Sequence, residues 1–210
     1  MVTKERKVFF LYTIAIAVLV IVGFSFFYIL KSTENYYRIV WVYIVIEYSL
    51  LTYFFSLYIK NKIIKNILFY SPVAFLIFCV YTFIIQKNLG LPFLPASVEH
   101  ITLLCFIIYY FFEVMQEIVL EPIYQKAIFW ISVAFIINSA GNFFLFLYSK
   151  SSYNDSHFQQ QYTIIYTTVT VIKNILLCIS ILIKDHIVEK TLPHTLDINL
   201  DSFHPITKKS

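Results

Sequence analysis

Six long apolar stretches dominate the 210-residue chain. A helix needs about 20 predominantly apolar residues to cross the hydrocarbon core of a bilayer. The stretches that reach or approach this length cover residues 8–30, 39–59, 66–85, 98–115, 127–148 and 162–183. Backbone polar groups need internal partners in lipid, and the alternating pattern of a β-barrel is absent, so each stretch predicts a helix. The sequence predicts an all-α polytopic membrane helix bundle of six transmembrane helices over residues 1–183, followed by a polar tail over 184–210.

The composition excludes several other classes of protein. Hydrophobic residues make up 60% of the chain and charged residues 13%, against about 25% charged residues in a typical soluble domain. This balance excludes a disordered chain and a soluble globule. The net charge of +4 is small and the basic residues are dispersed, which excludes a nucleic-acid-binding domain. The predicted partner is therefore the lipid bilayer.

The distribution of Lys and Arg predicts the orientation of the bundle. Eleven of these residues lie in the N-terminal segment, the second-to-third and fourth-to-fifth connections and the tail, and four lie in the other connections. Cytoplasmic connections carry the excess of basic residues. The sequence thus predicts a protein of the bacterial inner (cytoplasmic) membrane with cytoplasmic N- and C-termini. The segments 86–97 and 149–161 are predicted to be an external turn and an external loop.

Polar side chains inside the apolar stretches indicate a candidate site. Ionisable residues in a membrane span are costly and are a functional hypothesis by default. At 1.5 Å per residue, the following residues are predicted to share one layer of the bundle: Glu47, Asn138, Asn142, Lys173 and Asn174. This layer is either a proton-linked or ligand-binding centre, or a buried ion pair with interhelical amide bonds that fix packing. Glu99 lies near the end of a predicted span, where we expect it to reach water.

A second candidate is an acidic stripe on the fourth predicted helix. Glu113, Glu117 and Glu121 are spaced i, i+4, i+8, which places their side chains on one helix face. On the cytoplasmic side, such a stripe is either a divalent-cation or proton-entry site, or a solvated extension of the helix.

Other patterns favour structural roles. The small residues Ser139, Ala140 and Gly141 predict a close helix–helix approach. The three cysteines lie inside apolar stretches without a CxxC pair, and no two of the five histidines have metal-ligand spacing, so no metal site is predicted. His100 and the other histidines are expected at surfaces. No nucleotide-binding or hydrolase motif occurs, and neither a cofactor nor an enzymatic activity is predicted.

The fifth stretch carries a family resemblance. Residues 129–147 read FWISVAFIINSAGNFFLFL, in which Phe-Trp-Ile opens the span, Gly-Asn follows, and Phe-Leu-Phe closes it. This pattern resembles a group of small, uncharacterised integral membrane proteins common in Bacteroidetes. Glu47 in an aromatic second span and Asn174 in the last span are similar to that group as well. Members of that group carry one more helix ahead of the span that begins here at Val8, and it is missing here, so either the start is truncated or this is a six-helix member. Through neighbouring two-component signalling genes, the resemblance implies a role in sensing.

Three functions are compatible with these patterns. The first is a sensory or signalling accessory, or a ligand-binding membrane protein, that works with a membrane partner such as a sensor kinase. The second is a small transporter or channel subunit, for which the polar layer would be the path. The third is a membrane-embedded lipid enzyme, which would use the acidic stripe.

Overall fold

The computed structural model describes residues 4–85, 90–116, 122–152 and 155–183, and it contains six long helices. Their bounds are α1 Lys4–Phe24, α2 Thr33–Ser56, α3 Lys62–Ile85, α4 Phe93–Met115, α5 Ala127–Ser152 and α6 Ser156–Leu182. A π-helical turn, Ser25–Ile29, continues α1, and a short 3-10 turn, Ile123–Gln125, precedes α5. All six helices are long and apolar enough to cross a membrane. The prediction of an all-α membrane bundle is confirmed, and the predicted tail over 184–210 lies outside the described residues.

The helices extend further than the apolar stretches that predicted them. α4 begins at Phe93, so the second half of the predicted turn over 86–97 is helical, and most of the predicted loop over 149–161 belongs to α5 and α6. Pro95 is tolerated because the N–H groups of a first turn have no intrahelical acceptor. Asp155 caps α6 by accepting a hydrogen bond from the N–H of His157 at 3.0 Å. Hydropathy therefore marks the lipid-facing length of a helix, whereas capping and hydrogen bonding set its ends.

The interior of the bundle is built around α2, α4 and α5. α2 packs against α1, α3 and α4, and α5 packs most extensively against α4 and α6. Large side chains of these three helices are buried: Phe54 and Phe55 from α2, Leu103 and Ile107 from α4, and Phe135 from α5. Among the described residues, α1 and α6 do not pack along each other. The outer surfaces of α1, α3 and α6 are largely exposed, as expected for helices that face lipid.

In α3, a serine hydroxyl replaces the backbone hydrogen bond that a proline cannot make. Pro72 lacks the N–H that would donate to the carbonyl of Leu68 one turn earlier. The Ser71 hydroxyl donates to that same carbonyl at 3.0 Å. Since lipid supplies no partner for a free carbonyl, a neighbouring hydroxyl of this kind lets a membrane helix continue through proline.

Close packing of α5 on α6 depends on Gly141. A Cβ atom built on Gly141 would lie 2.7 Å from Cγ2 of Val169, far inside van der Waals contact. Ser139 is fully buried, whereas Ala140 is exposed. The predicted close approach is thus present, and Gly141 rather than the whole run of three small residues makes it.

Candidate functional site: a buried polar cluster

Glu47 lies in the interior of the bundle. It is the fifteenth residue of α2 and only 5% exposed. The hydroxyl of Tyr12 on α1 donates a hydrogen bond to its Oε1 at 3.1 Å. The ring of Tyr12 also meets Phe135 of α5 edge-on, with 5.8 Å between ring centroids. One tyrosine therefore links α1 to α2 and α5 and supplies a hydrogen bond to a carboxyl group that would otherwise be costly to bury.

Lys173 and Glu47 do not form the buried ion pair that was one interpretation of the polar layer. Within the described residues, no ion pair of 4.0 Å or less joins these two side chains. The Lys173 ammonium lies instead 6.0 Å from the ring centroid of Phe135, at the edge of cation–π range. Asn174, which was predicted to join the same layer, is exposed. Consecutive residues of a helix point about 100° apart, so Lys173 and Asn174 cannot both face the interior.

The two asparagines of α5 form a buried pair. Asn138 and Asn142 are both buried, and the Nδ2 of Asn142 donates to the Oδ1 of Asn138 at 3.1 Å. The pair satisfies one donor and one acceptor within a single helix, one turn apart. It therefore does not serve as an interhelical bond, which was one interpretation of these residues.

Glu99 and His100 were not expected in the interior. Glu99 is 1% exposed and His100 is 6% exposed, so the predictions that Glu99 reaches water and that His100 lies at a surface are wrong. The reason is the early start of α4. Glu99 is the seventh residue of that helix, about 9 Å along its axis, and its side chain is buried. The helix-breaking Pro92 before the apolar stretch is the sequence signal that predicts this start.

Contacts on α5 bring these groups into one region. Tyr12, which is bonded to Glu47, and Lys173 both approach the ring of Phe135, and His100, which follows Glu99 in α4, stacks on Phe146 of the same helix as Phe135. The site thus draws on α1, α2, α4, α5 and α6. We call it the polar cluster, and its members are Tyr12, Glu47, Glu99, His100, Asn138, Asn142 and Lys173.

Several polar atoms of this region have no hydrogen-bond partner within the described part of the chain. In the polar cluster these are Oε1 of Glu99, Nδ1 of His100 and Oδ1 of Asn142, and the hydroxyls of Ser132 and Ser139 on α5 share this property. A buried polar atom without a partner costs about 1–3 kcal/mol. The cost is high for a packing role alone, because an apolar side chain at each position would avoid it.

Aromatic side chains adjoin the cluster. The imidazole of His100 stacks on Phe146, with 5.3 Å between ring centroids and 10° between planes. Phe146 in turn contacts the rings of Tyr162 and Tyr166 on α6 at 6.1 and 6.3 Å. Glu99 directly precedes His100 in α4, so its carboxyl group belongs to the same turn as the imidazole that stacks on Phe146. Carboxyl groups and aromatic faces in one region are a combination that suits an organic cation.

Glu113 lies elsewhere and has a structural role. Its carboxylate accepts hydrogen bonds from the backbone N–H groups of Lys60 and Asn61, at 2.9 and 2.8 Å. It thereby fixes the connection between α2 and α3 against the end of α4. α4 ends at Met115, and the other two members of the predicted acidic stripe, Glu117 and Glu121, lie outside the described residues.

Neither a metal-binding arrangement nor a known relative identifies the site. Within the described ranges, no group of three or more His, Cys, Asp or Glu side chains is placed to hold a metal ion. Comparisons with protein families, with curated proteins and with solved structures find no match for this chain.

Proposed function

We propose that this protein binds a small ligand in its membrane-embedded polar cluster and acts as a sensory or signalling accessory. The observation that carries the proposal is the set of buried polar atoms of Glu99, His100 and Asn142 that lack partners within the described residues. Sites that bind polar ligands leave such groups unpaired in the absence of the ligand, at a cost to stability. Intramembrane ionisable residues mark ligand and ion sites more often than packing sites.

The chemistry of the cluster favours a small organic ammonium ion. The cluster contains two carboxyl groups, those of Glu47 and Glu99, and one ammonium group, that of Lys173. The unpartnered oxygens of Glu99 and Asn142 accept hydrogen bonds, which fits a ligand that donates them. The rings of Phe146 and Tyr166 would offer cation–π faces to the positive charge.

The basic residues indicate the orientation of the bundle in the membrane, and the helix contacts indicate a route for a signal. We place the bundle in the bacterial inner membrane with both termini in the cytoplasm, because the basic residues cluster on that side. A signal would pass to a membrane partner such as a sensor kinase through movement of α1, which Tyr12 links to Glu47.

Labelling of single cysteines placed at residues 61 and 155 by a membrane-impermeant maleimide tests the orientation of the bundle. In intact cells, label at 155 and not at 61 is expected.

Ligand-dependent stability tests the binding proposal. The purified protein is unfolded thermally in detergent with methylammonium, ethanolamine or choline chloride, and with sodium chloride at equal ionic strength. A ligand present at 100 times its Kd stabilises the folded state by about 2.7 kcal/mol. We expect at least one amine to raise the unfolding temperature of the wild type and to have no effect on Glu99→Gln, which keeps the side-chain shape without the charge.

A matched carboxylate provides the control. Glu34 is exposed at the start of α2 and is paired with Arg38, so Glu34→Gln should respond to amines as the wild type does. Equal responses of Glu99→Gln and the wild type would contradict the proposal. A failure of all three amines to stabilise the wild type would contradict an ammonium ligand.

A small transporter is the second candidate, and the depth of the charged groups favours it. Glu99 lies about 9 Å from the start of α4, and Lys173 lies about 14 Å from the end of α6. Since α4 and α6 run in the same direction, these two residues lie nearer to opposite faces of the membrane. Uptake of the stabilising amine into proteoliposomes, driven by its own gradient, distinguishes transport from binding. Wild-type uptake that exceeds that of Glu99→Gln would favour the transporter.

A further inference from the structure

One face of α6 is polar along its exposed length. Residues at helical spacing form a continuous row, which we call the α6 stripe: Thr163, Thr167, Thr170, Asn174 and Cys178. The first, second, fourth and fifth of these are exposed. The row covers about four turns, roughly 22 Å along the helix axis. It lies about 140° around the helix from Val169, the residue that packs against Gly141 of α5.

A polar row of this kind is unusual for a surface that faces lipid. The exposed face of α3 is apolar, for example at Val73, Ile77 and Ile84. On α6, by contrast, Asn174 is exposed about 12 Å from the end of the helix, and its amide has no hydrogen-bond partner among the described residues. An amide exposed to hydrocarbon is costly. Membrane helices remove that cost by hydrogen bonding through Asn and Thr to another helix.

A second copy of this chain is the occupant that the α6 stripe fits. All copies have the same orientation in a membrane, so a two-fold axis that relates two of them runs along the membrane normal. Such an axis brings α6 of each copy together in parallel, with identical residues at identical depth. An asparagine amide both donates and accepts hydrogen bonds, and a threonine hydroxyl does the same. Asn174 therefore complements Asn174 of the second copy, and Thr167 complements Thr167, without any further adjustment.

We infer that the protein forms a parallel homodimer in the membrane through the α6 stripe. The inference is independent of the proposed ligand, because the stripe lies on a different face of α6 from Lys173. The dimer would leave the polar cluster of each copy inside its own bundle.

Oxidative cross-linking in native membranes tests the dimer, and the chain offers its own probes. Cys178 lies on the stripe, whereas Cys105 is exposed on α4, on another surface. Cysteines form a disulfide only when their Cα atoms approach to about 4.4–6.8 Å. With copper phenanthroline as the oxidant, a chain that keeps only Cys178 should form a reducible dimer, and a chain that keeps only Cys105 should not.

A second pair of variants controls for position within α6. Thr167→Cys and Ile165→Cys are introduced separately into a cysteine-free chain. Ile165 is exposed at almost the same depth but points about 160° away from Thr167. Cross-linking through Thr167→Cys and not through Ile165→Cys supports the dimer. Equal cross-linking through both, or none through either Cys178 or Thr167→Cys, overturns it.

Asn174 should contribute most to the association. One interhelical polar bond contributes about 0.6–1.7 kcal/mol, so Asn174→Leu should weaken dimerisation roughly 3- to 20-fold. Energy transfer between labelled copies, measured as they are diluted into lipid vesicles, gives the association constant. Thr168→Leu removes an exposed hydroxyl that lies off the stripe and should leave the constant unchanged. If Asn174→Leu and Thr168→Leu associate as the wild type does, the stripe is not the interface.

Discussion

The contact between Gly141 and Val169 allows a sharp prediction about α5 and α6. In Gly141→Ala, the new Cβ would meet Cγ2 of Val169 at 2.7 Å and Cγ1 at 3.2 Å. Optimal carbon–carbon contact is about 3.5–4.0 Å, so the helices would have to separate by about 1 Å. Valine is stiff about χ1 and cannot easily turn its methyl groups away. Overpacking of this kind costs about 1–3 kcal/mol.

Gly23 provides the matched control. It lies inside α1, and a Cβ built there would have its nearest neighbour, Cγ2 of Ile39, at 3.6 Å, which is an ordinary contact. Both Gly→Ala changes gain the same helix propensity, so this gain cancels when the two variants are compared. We expect Gly141→Ala to be less stable than Gly23→Ala by about 1–3 kcal/mol.

Reversible unfolding by sodium dodecyl sulfate in mixed micelles measures these free energies. The double variant Gly141→Ala/Val169→Ala removes both clashing methyl groups, so the two changes should couple favourably by more than about 0.5 kcal/mol. Equal stabilities of Gly141→Ala and Gly23→Ala, with no coupling to Val169→Ala, would show that α5 and α6 do not approach as described.

Three further predictions concern single hydrogen bonds, each measured by the same unfolding assay. Tyr12→Phe should lose about 1–3 kcal/mol because a buried carboxyl group loses its donor, whereas Tyr70→Phe, at an exposed tyrosine, should be neutral; equal effects would contradict this role. Glu113→Ala should lose about 1–3 kcal/mol by freeing two backbone N–H groups, and an unchanged stability would exclude that role. Ser71→Ala should lose about 1 kcal/mol, and adding Pro72→Ala should restore it, because alanine supplies an N–H to the same carbonyl; without such recovery the local replacement is wrong.

The sequence was sufficient to predict the six spans because length and hydropathy determine them. It also indicated that Glu47 and Asn142 are buried, since polar residues far from the ends of an apolar stretch avoid lipid by facing the bundle interior. The same reasoning placed Asn174 in the interior and was wrong, because the depth of a residue along a helix does not determine the direction of its side chain. It shares its depth with Lys173, but the helix turns the two side chains apart.

Other members of the site depend on information that is not local. Tyr12 is one of 17 tyrosines, and only the packing of α1 against α2 and α5 distinguishes it. Glu99 and His100 were assigned to a helix end because the apolar stretch begins at Val98, while the helix itself begins at Phe93. Gly141 was expected in a close contact, but its partner on α6 follows from the register of two helices, which no short pattern contains.

The stability of Glu99→Met in the absence of any ligand tests most directly whether the polar cluster is kept for binding. Methionine fills a similar volume and has no oxygen to leave unpaired. If Glu99 is retained for a ligand, Glu99→Met should unfold with a free energy about 1–3 kcal/mol higher than that of the wild type and should no longer respond to amines. A free energy of unfolding lower than that of the wild type would show that Glu99 stabilises the bundle, and the cluster would then be a packing feature.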